Sequence, residues 1–200
     1  MQKLDGLAAY HWALDGLRDS NGPNHRMSMA FEYTQPPKLL ELTPAGLAAI
    51  DDDVIESSLV DYALAHRRDL DDEREAIALL PPALQMWYIS FVVDAEVLSG
   101  GFNQFFFNPS GDLGDAAPAA FETMGMPRAA SLVGRALDLL EQHAPALEAA
   151  AAAGTIESFM ETYLDQPFSK LDELYAESEA EFRAARLKFI RVGAEDLCRA

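Results

Sequence analysis

Four histidines, one cysteine and a large surplus of carboxylates are the side chains from which this sequence could build a reactive centre. A transition-metal site needs imidazole or thiolate ligands grouped at short spacing. His11, His25, His66 and His143 are scattered, with no H-E-x-x-H, no C-x-x-C and no histidine pair four apart, so neither a metal nor a cofactor is expected. A calcium loop could begin at Asn108, with Ser110 and Asp112 as its third and fifth positions. Its sixth position is Leu113 instead of glycine and its twelfth is Ala119 instead of glutamate, so it fails where a calcium loop is most constrained. Gly100-Gly101 is not followed by the G-K-[ST] of a phosphate loop, and no G-x-S-x-G is present. Cys198 stands near the C-terminal end with no positioned base around it, and is read as incidental. Asp94 and Glu96 are the remaining candidates for acid–base or metal chemistry. On a helix, positions i and i+2 do not share a face, so the pair is read as a polar edge reaching solvent. The expectation is a protein that is not an enzyme.

What remains is charge. The chain has 33 acids against 15 bases, a formal net charge of -18. Phosphate backbones select basic proteins, which disfavours direct nucleic-acid binding. An acidic surface serves either solubility alone or the steering of a basic partner. Between Glu41 and Glu75 there are eleven acids and three arginines, a net of -8 in 35 residues. On helices, acids three or four apart stand about 5–6 Å from one another and repel, so they are solvated or matched from outside the chain. Asp51, Asp52, Asp53, Glu56, Asp61, Asp69, Asp71, Asp72, Glu73 and Glu75 are therefore the candidate partner-binding surface.

The elements that carry these acids are predicted to be helical throughout. Leu4, Leu7, His11, Leu14 and Leu17 give an amphipathic helix over 2–20, ended by Asn21-Gly22-Pro23. Residues 24–38 read as a connection, so 1–42 form an N-terminal helical arm and 43–200 the main domain. Thr43-Pro44 starts a short helix through Ile50. A second, over 53–67, turns Val54, Ile55, Ser58, Leu59, Tyr62 and Ala63 inward and leaves Glu56 and Asp61 off the stripe. A third is possible over 70–80. The central helix, 82–98, is almost wholly apolar, with Leu84, Trp87, Phe91, Ala95 and Leu98 on one face.

Gly100-Gly101 stops that helix, and Phe102, Phe105 and Phe106 roll into the core as a short turn. There Asn103, Gln104 and Asn108 can hold backbone groups. Asp112 or Asp115 caps a helix ending at Gly125. Further helices follow over 127–144, through the alanine-rich 145–153, around 156–163, and over 168–192. The result is an all-α fold, a single compact multi-helix domain around a buried central helix. Pro81 to Val93 is the longest apolar run, interrupted by Gln85 and Ser90, and too short for a membrane span. With no secretory h-region and a single cysteine, the cytoplasm is the expected location.

Several of these residues also form a pattern. Asp94-Ala95-Glu96-Val97, then Gly100-Gly101-Phe102, Gln104-Phe105 and Asn108, resembles the bacterial DNA-mimic protein family, in the domain typified by DNA mimic protein nineteen. Gly125, Pro167-Phe168, Leu171-Asp172 and Tyr175 extend the resemblance, which covers about residues 50–192. Ser99 departs from the asparagine that commonly precedes the two glycines. The resemblance implies an all-helical, dimeric protein that presents carboxylates where DNA presents phosphates. Such a protein occupies the DNA-binding surface of a basic protein, for instance a transcription regulator. The rival expectation is an acidic binding module of another kind, such as an immunity-type protein neutralising a basic toxin. In either case the glycine–phenylalanine motif is read as structural and the function as lying on surface acids.

Overall fold

A computed structural model describes residues 37–66, 73–162 and 167–199. The predicted helix over 2–20, Asp69, Asp71, Asp72 and the side chain of Glu73 lie outside the described residues. Among the described residues there are ten α-helices, one 3-10 helix and no strand. They are α1 (Pro44–Ala48), α2 (Ile55–His66), α3 (Glu73–Ile77), α4 (Pro82–Phe107), the 3-10 segment Pro109–Ala116, α5 (Ala117–Thr123), α6 (Pro127–Ala153), α7 (Ile156–Glu161), α8 (Ser169–Ala176), α9 (Glu179–Val192) and α10 (Ala194–Leu197).

The first start signal acts as its chemistry demands. Thr43 Oγ1 accepts the Gly46 N–H at 3.0 Å, and Pro44 occupies the first helical position, where no N–H is needed. α4 is the central element, packed against the 3-10 segment, α5, α8 and α10. Contact on several sides explains why its burial is wider than the predicted stripe. Leu84, Trp87, Tyr88, Ile89, Val92, Val93 and Val97 are buried, whereas Phe91 and Ala95 are half-buried and Leu98 is exposed.

Three predicted boundaries are corrected. Gly100-Gly101 is not the end of the central helix but a break inside it. The dihedrals leave the helical region at Gly100 (φ -155°, ψ 18°) and Gly101 (φ 76°, ψ 177°), and the helix resumes through Phe107. The predicted boundary at Ala144–Pro145 is absent, and α6 runs through Pro145. That proline lies on the exposed side, where water can satisfy the carbonyl it leaves without a donor. The predicted last helix is two. Ser178 Oγ bonds back to Leu174 O at 2.9 Å and its N–H to Tyr175 O at 2.9 Å, tightening the chain out of the α-helical pattern between α8 and α9.

The break in α4 sets the aromatic corner. Phe102 lies edge-on to Tyr175 at 5.6 Å between ring centroids and 6.4 Å from Phe168, and Tyr175 meets Phe182 at 5.0 Å. Aromatic contacts of this geometry add to the area they bury. Together they join the resumed half of α4 to α8 and α9.

Candidate functional site

Asp94 and Glu96 are both buried, 5% and 6% exposed, which corrects the expectation that they reach solvent. They serve two separate knots. Glu96 Oε2 accepts from Gln104 Nε2 and Asn108 Nδ2, each at 2.9 Å, and Oε1 accepts from Ser110 Oγ at 3.1 Å. Gln104 and Asn108 thus hold a side-chain carboxylate, not the backbone groups the sequence suggested. All three donors follow the break, so one carboxylate from the first half of α4 clamps its second half and the start of the 3-10 segment. Three donors on one buried carboxylate offset the desolvation that its burial costs.

The second knot is centred on Arg186 of α9, 3% exposed. Its Nε donates to Glu56 Oε1 at 2.7 Å, and its Nη1 forms an ion pair with Asp94 Oδ2 at 2.9 Å. Arg183 adds an ion pair to Glu56 Oε2 at 3.5 Å. Glu56 is therefore turned inward, which corrects its placement off the buried stripe of α2. The Tyr175 hydroxyl is buried beside the Asp94 carboxylate and interacts with it, without reaching good hydrogen-bond geometry.

Burial pushes the Asp94 carboxyl up from its ordinary range, and the neighbouring Arg186 only partly offsets this. The Asp172 carboxyl is also raised by burial, against the lowering effect of the Phe102 N–H. The Tyr175 hydroxyl is raised well above its usual value, first by burial and then by the Asp94 charge. For a carboxyl whose folded pKa is raised, the folded chain holds the proton more tightly. Its contribution to stability is fully present below the unfolded value of about 3.9 and is lost as pH rises through the raised folded value. Calorimetric melting temperatures are therefore expected to fall as pH rises through that window, and to fall less steeply in Asp94→Asn.

The remaining predicted partner-binding residues are divided. Asp51, Asp52, Asp53, Asp61 and Glu75 are exposed. Asp52 is tied within the fold, because Arg191 Nη2 and Nε reach its Oδ1 at 2.6 and 2.8 Å. The same guanidinium donates to Leu47 O and Ile50 O, closing the end of α1. Asp53 lies 3.9 Å from Arg183. α9 thus acts as a comb of arginines that fastens the Leu47–Glu56 segment.

Sequence reasoning overlooked Arg186, although it falls four residues after Phe182 and three before Phe189, on the inward face of its helix. A charged residue on an apolar stripe was the available signal. It also overlooked the stretch 136–169, which contains no lysine or arginine. There Asp138, Glu141 and Glu148 on α6, with Glu157 and Glu161 on α7, are exposed and make no ion pair among the described residues.

No group of three or more histidine, cysteine, aspartate or glutamate side chains among the described residues could hold a metal ion. No described helix is long and apolar enough to cross a membrane. Comparison with curated proteins and with solved structures gave no match. Comparison with protein families matched residues 78–192 to the family described as DMP19-like protein, a span that contains the α4 break, the Glu96 clamp, Asp172 and Arg186. With more than half its length so matched, the chain belongs to the DMP19-like protein family.

Proposed function

We propose that this protein is a non-catalytic acidic inhibitor that occupies the DNA-binding surface of a basic protein, such as a transcription regulator, and keeps it from DNA in the cytoplasm. The observation that carries this reading is the run of exposed carboxylates on α6 and α7, with no lysine or arginine from residue 136 to residue 169. At 100° and 1.5 Å per residue, Asp138, Glu141 and Glu148 share one side of α6, with rises of about 4.5 and 10.5 Å between them. A rigid helix can in this way hold carboxylates at the scale of a nucleic-acid backbone, which carries one charge per 3.4 Å on each strand. Membership of the family supports the same reading. Asp51, Asp53 and Asp61 extend the proposed acidic exterior, and Asp69, Asp71, Asp72, Glu73 and Glu75 follow them in sequence. Glu56 is left out because Arg186 already neutralises it, and Asp52 because of Arg191.

The protein would bind no nucleic acid itself and would work as a homodimer, as the family resemblance implies. Low-salt affinity capture followed by competition tests the reading. The expected result is a captured DNA-binding protein whose DNA complex dissolves as this protein is added, with light scattering reporting two copies of it per complex. Recovery of a toxin whose activity is neutralised, with no effect on any DNA complex, would favour the immunity-type alternative.

A further inference from the structure

The resumed half of α4 and the start of α8 border a cleft of about 300 Å³, lined by Asn103, Thr162, Pro167, Phe168, Ser169 and Asp172 among others. That is at the lower end of the range that holds small ligands. Its polar inventory is one-sided. Asn103 is 4% exposed, and its Nδ2 donates to Thr162 Oγ1 at 2.6 Å, leaving Oδ1 buried with no donor. Buried acceptors in native proteins are almost always paired, so an orphan on a residue that lines the cleft marks a place for a donor brought from outside. Asp172 has one oxygen engaged, Oδ1, which accepts the Phe102 N–H at 2.8 Å. Oδ2 makes no hydrogen bond among the described residues. Glu173 also borders the cleft, and the nearby Lys170 is tied to it at 2.9 Å.

The N-terminus of α8 would on its own attract an anion. Here Asp172 already supplies negative charge to its first turn and Glu173 follows one residue on, so an anion would meet acidic side chains at the cleft. A cation with several N–H donors meets the opposite condition, because two residues that line the cleft, Asp172 and Asn103, each carry an oxygen without a hydrogen bond among the described residues. Pro167 and Phe168 supply an apolar wall against which an aliphatic stem can lie.

We propose that this cleft binds an alkyl guanidinium or ammonium group, its charged end on Asp172 Oδ2 and Asn103 Oδ1 and its stem along Pro167 and Phe168. The group could come from a free small amine or from an arginine or lysine side chain of a protein, and the site stands whether or not the protein mimics DNA. Asp172 also holds the α4 break, so Asn103 is the residue to vary.

The test is a titration of the full chain with agmatine at 150 mM NaCl, followed by amide chemical shifts, with butylurea and inorganic phosphate as controls. Saturable shifts of the Asn103 side-chain amide and of the Phe102 and Ser169 N–H groups are expected with agmatine and not with either control. Asn103→Leu should weaken binding at least tenfold in a chain that still unfolds cooperatively. Asn103→Asp, which keeps the shape and adds a charge, should tighten it at least threefold, an effect that a purely structural Asn103 would not produce. Equal binding by a blocked Gly-Arg-Gly tripeptide would identify a protein side chain as the source, and binding by agmatine alone a free amine. Non-saturating shifts spread over Asp51, Asp138 and Glu141, a preference for phosphate, or undiminished binding in both variants would overturn the proposal.

Discussion

Replacing Arg186 by methionine is expected to lower the free energy of unfolding by about 3–5 kcal/mol, measured by urea denaturation. The guanidinium is buried between Glu56 of α2 and Asp94 of α4, at 2.7 and 2.9 Å. Removing it leaves two carboxylates close together in the interior, with only Arg183, 3.5 Å from Glu56, as compensation. The loss therefore reflects stranded charge more than the net worth of the ion pairs, whose formation already carried a desolvation penalty. That distinction can be measured. A triple variant in which Glu56, Asp94 and Arg186 all become apolar residues of similar size should recover most of the stability, because no unpaired charge remains. Arg186→Lys should fall between wild type and Arg186→Met, since a single ammonium cannot reach both carboxylates with a planar fork. A loss below about 1 kcal/mol in Arg186→Met would show that the knot does not hold the fold, because that is the range of exposed pairs.

Gly101→Ala should cost about 3–4 kcal/mol, from two separate causes. At φ 76° and ψ 177° the backbone is in a region that only glycine occupies without strain. A Cβ added there would also stand 2.7 Å from Asp172 Oδ2, displacing the carboxylate from the Phe102 N–H that opens the second half of α4. In an Asp172→Ala background the second cause is already gone, so Gly101→Ala should cost less there, and a double-mutant cycle reads the coupling directly. Strict additivity would mean that the carboxylate moves aside freely and contributes nothing to the break.

The sequence displays the helices because the 3.6-residue recurrence of apolar positions and the Thr43-Pro44 start are local signals. The helix–break–helix form of α4 is not local. Gly100-Gly101 reads as a terminus until Asp172, seventy residues beyond Phe102, is seen to accept the orphan N–H. Ser178 likewise looks like an ordinary helical residue until its hydroxyl is found bonded to Leu174 O. The same reason hides the candidate site. In sequence Glu56 belongs to an acidic run, but its charge is consumed by an arginine 130 positions away. Asp138, Glu141 and Glu148 are spread thinly among alanines and leucines, so density of acids along the chain underrates them. What matters to a partner is carboxylates per unit of exposed face left unpaired, and only the fold reveals it.

The motif residues and the acidic exterior therefore separate. Glu96, Gln104, Asn108 and Asp172 hold the α4 break, Asp94 and Arg186 hold α9 to it, and the exposed acids of α6 and α7 take part in neither. This division makes the central claim directly measurable, as competition between this protein and DNA for the captured basic partner. The comparison is between wild type and a variant with Asp138→Asn, Glu141→Gln, Glu148→Gln, Glu157→Gln and Glu161→Gln combined. These five exposed acids make no ion pairs among the described residues, so the melting temperature should not fall. The concentration needed to displace DNA should rise by about a hundredfold at low salt, on the order of 0.5 kcal/mol per carboxylate removed. An unchanged displacement curve in a folded variant would contradict the assignment of function to the acids of α6 and α7.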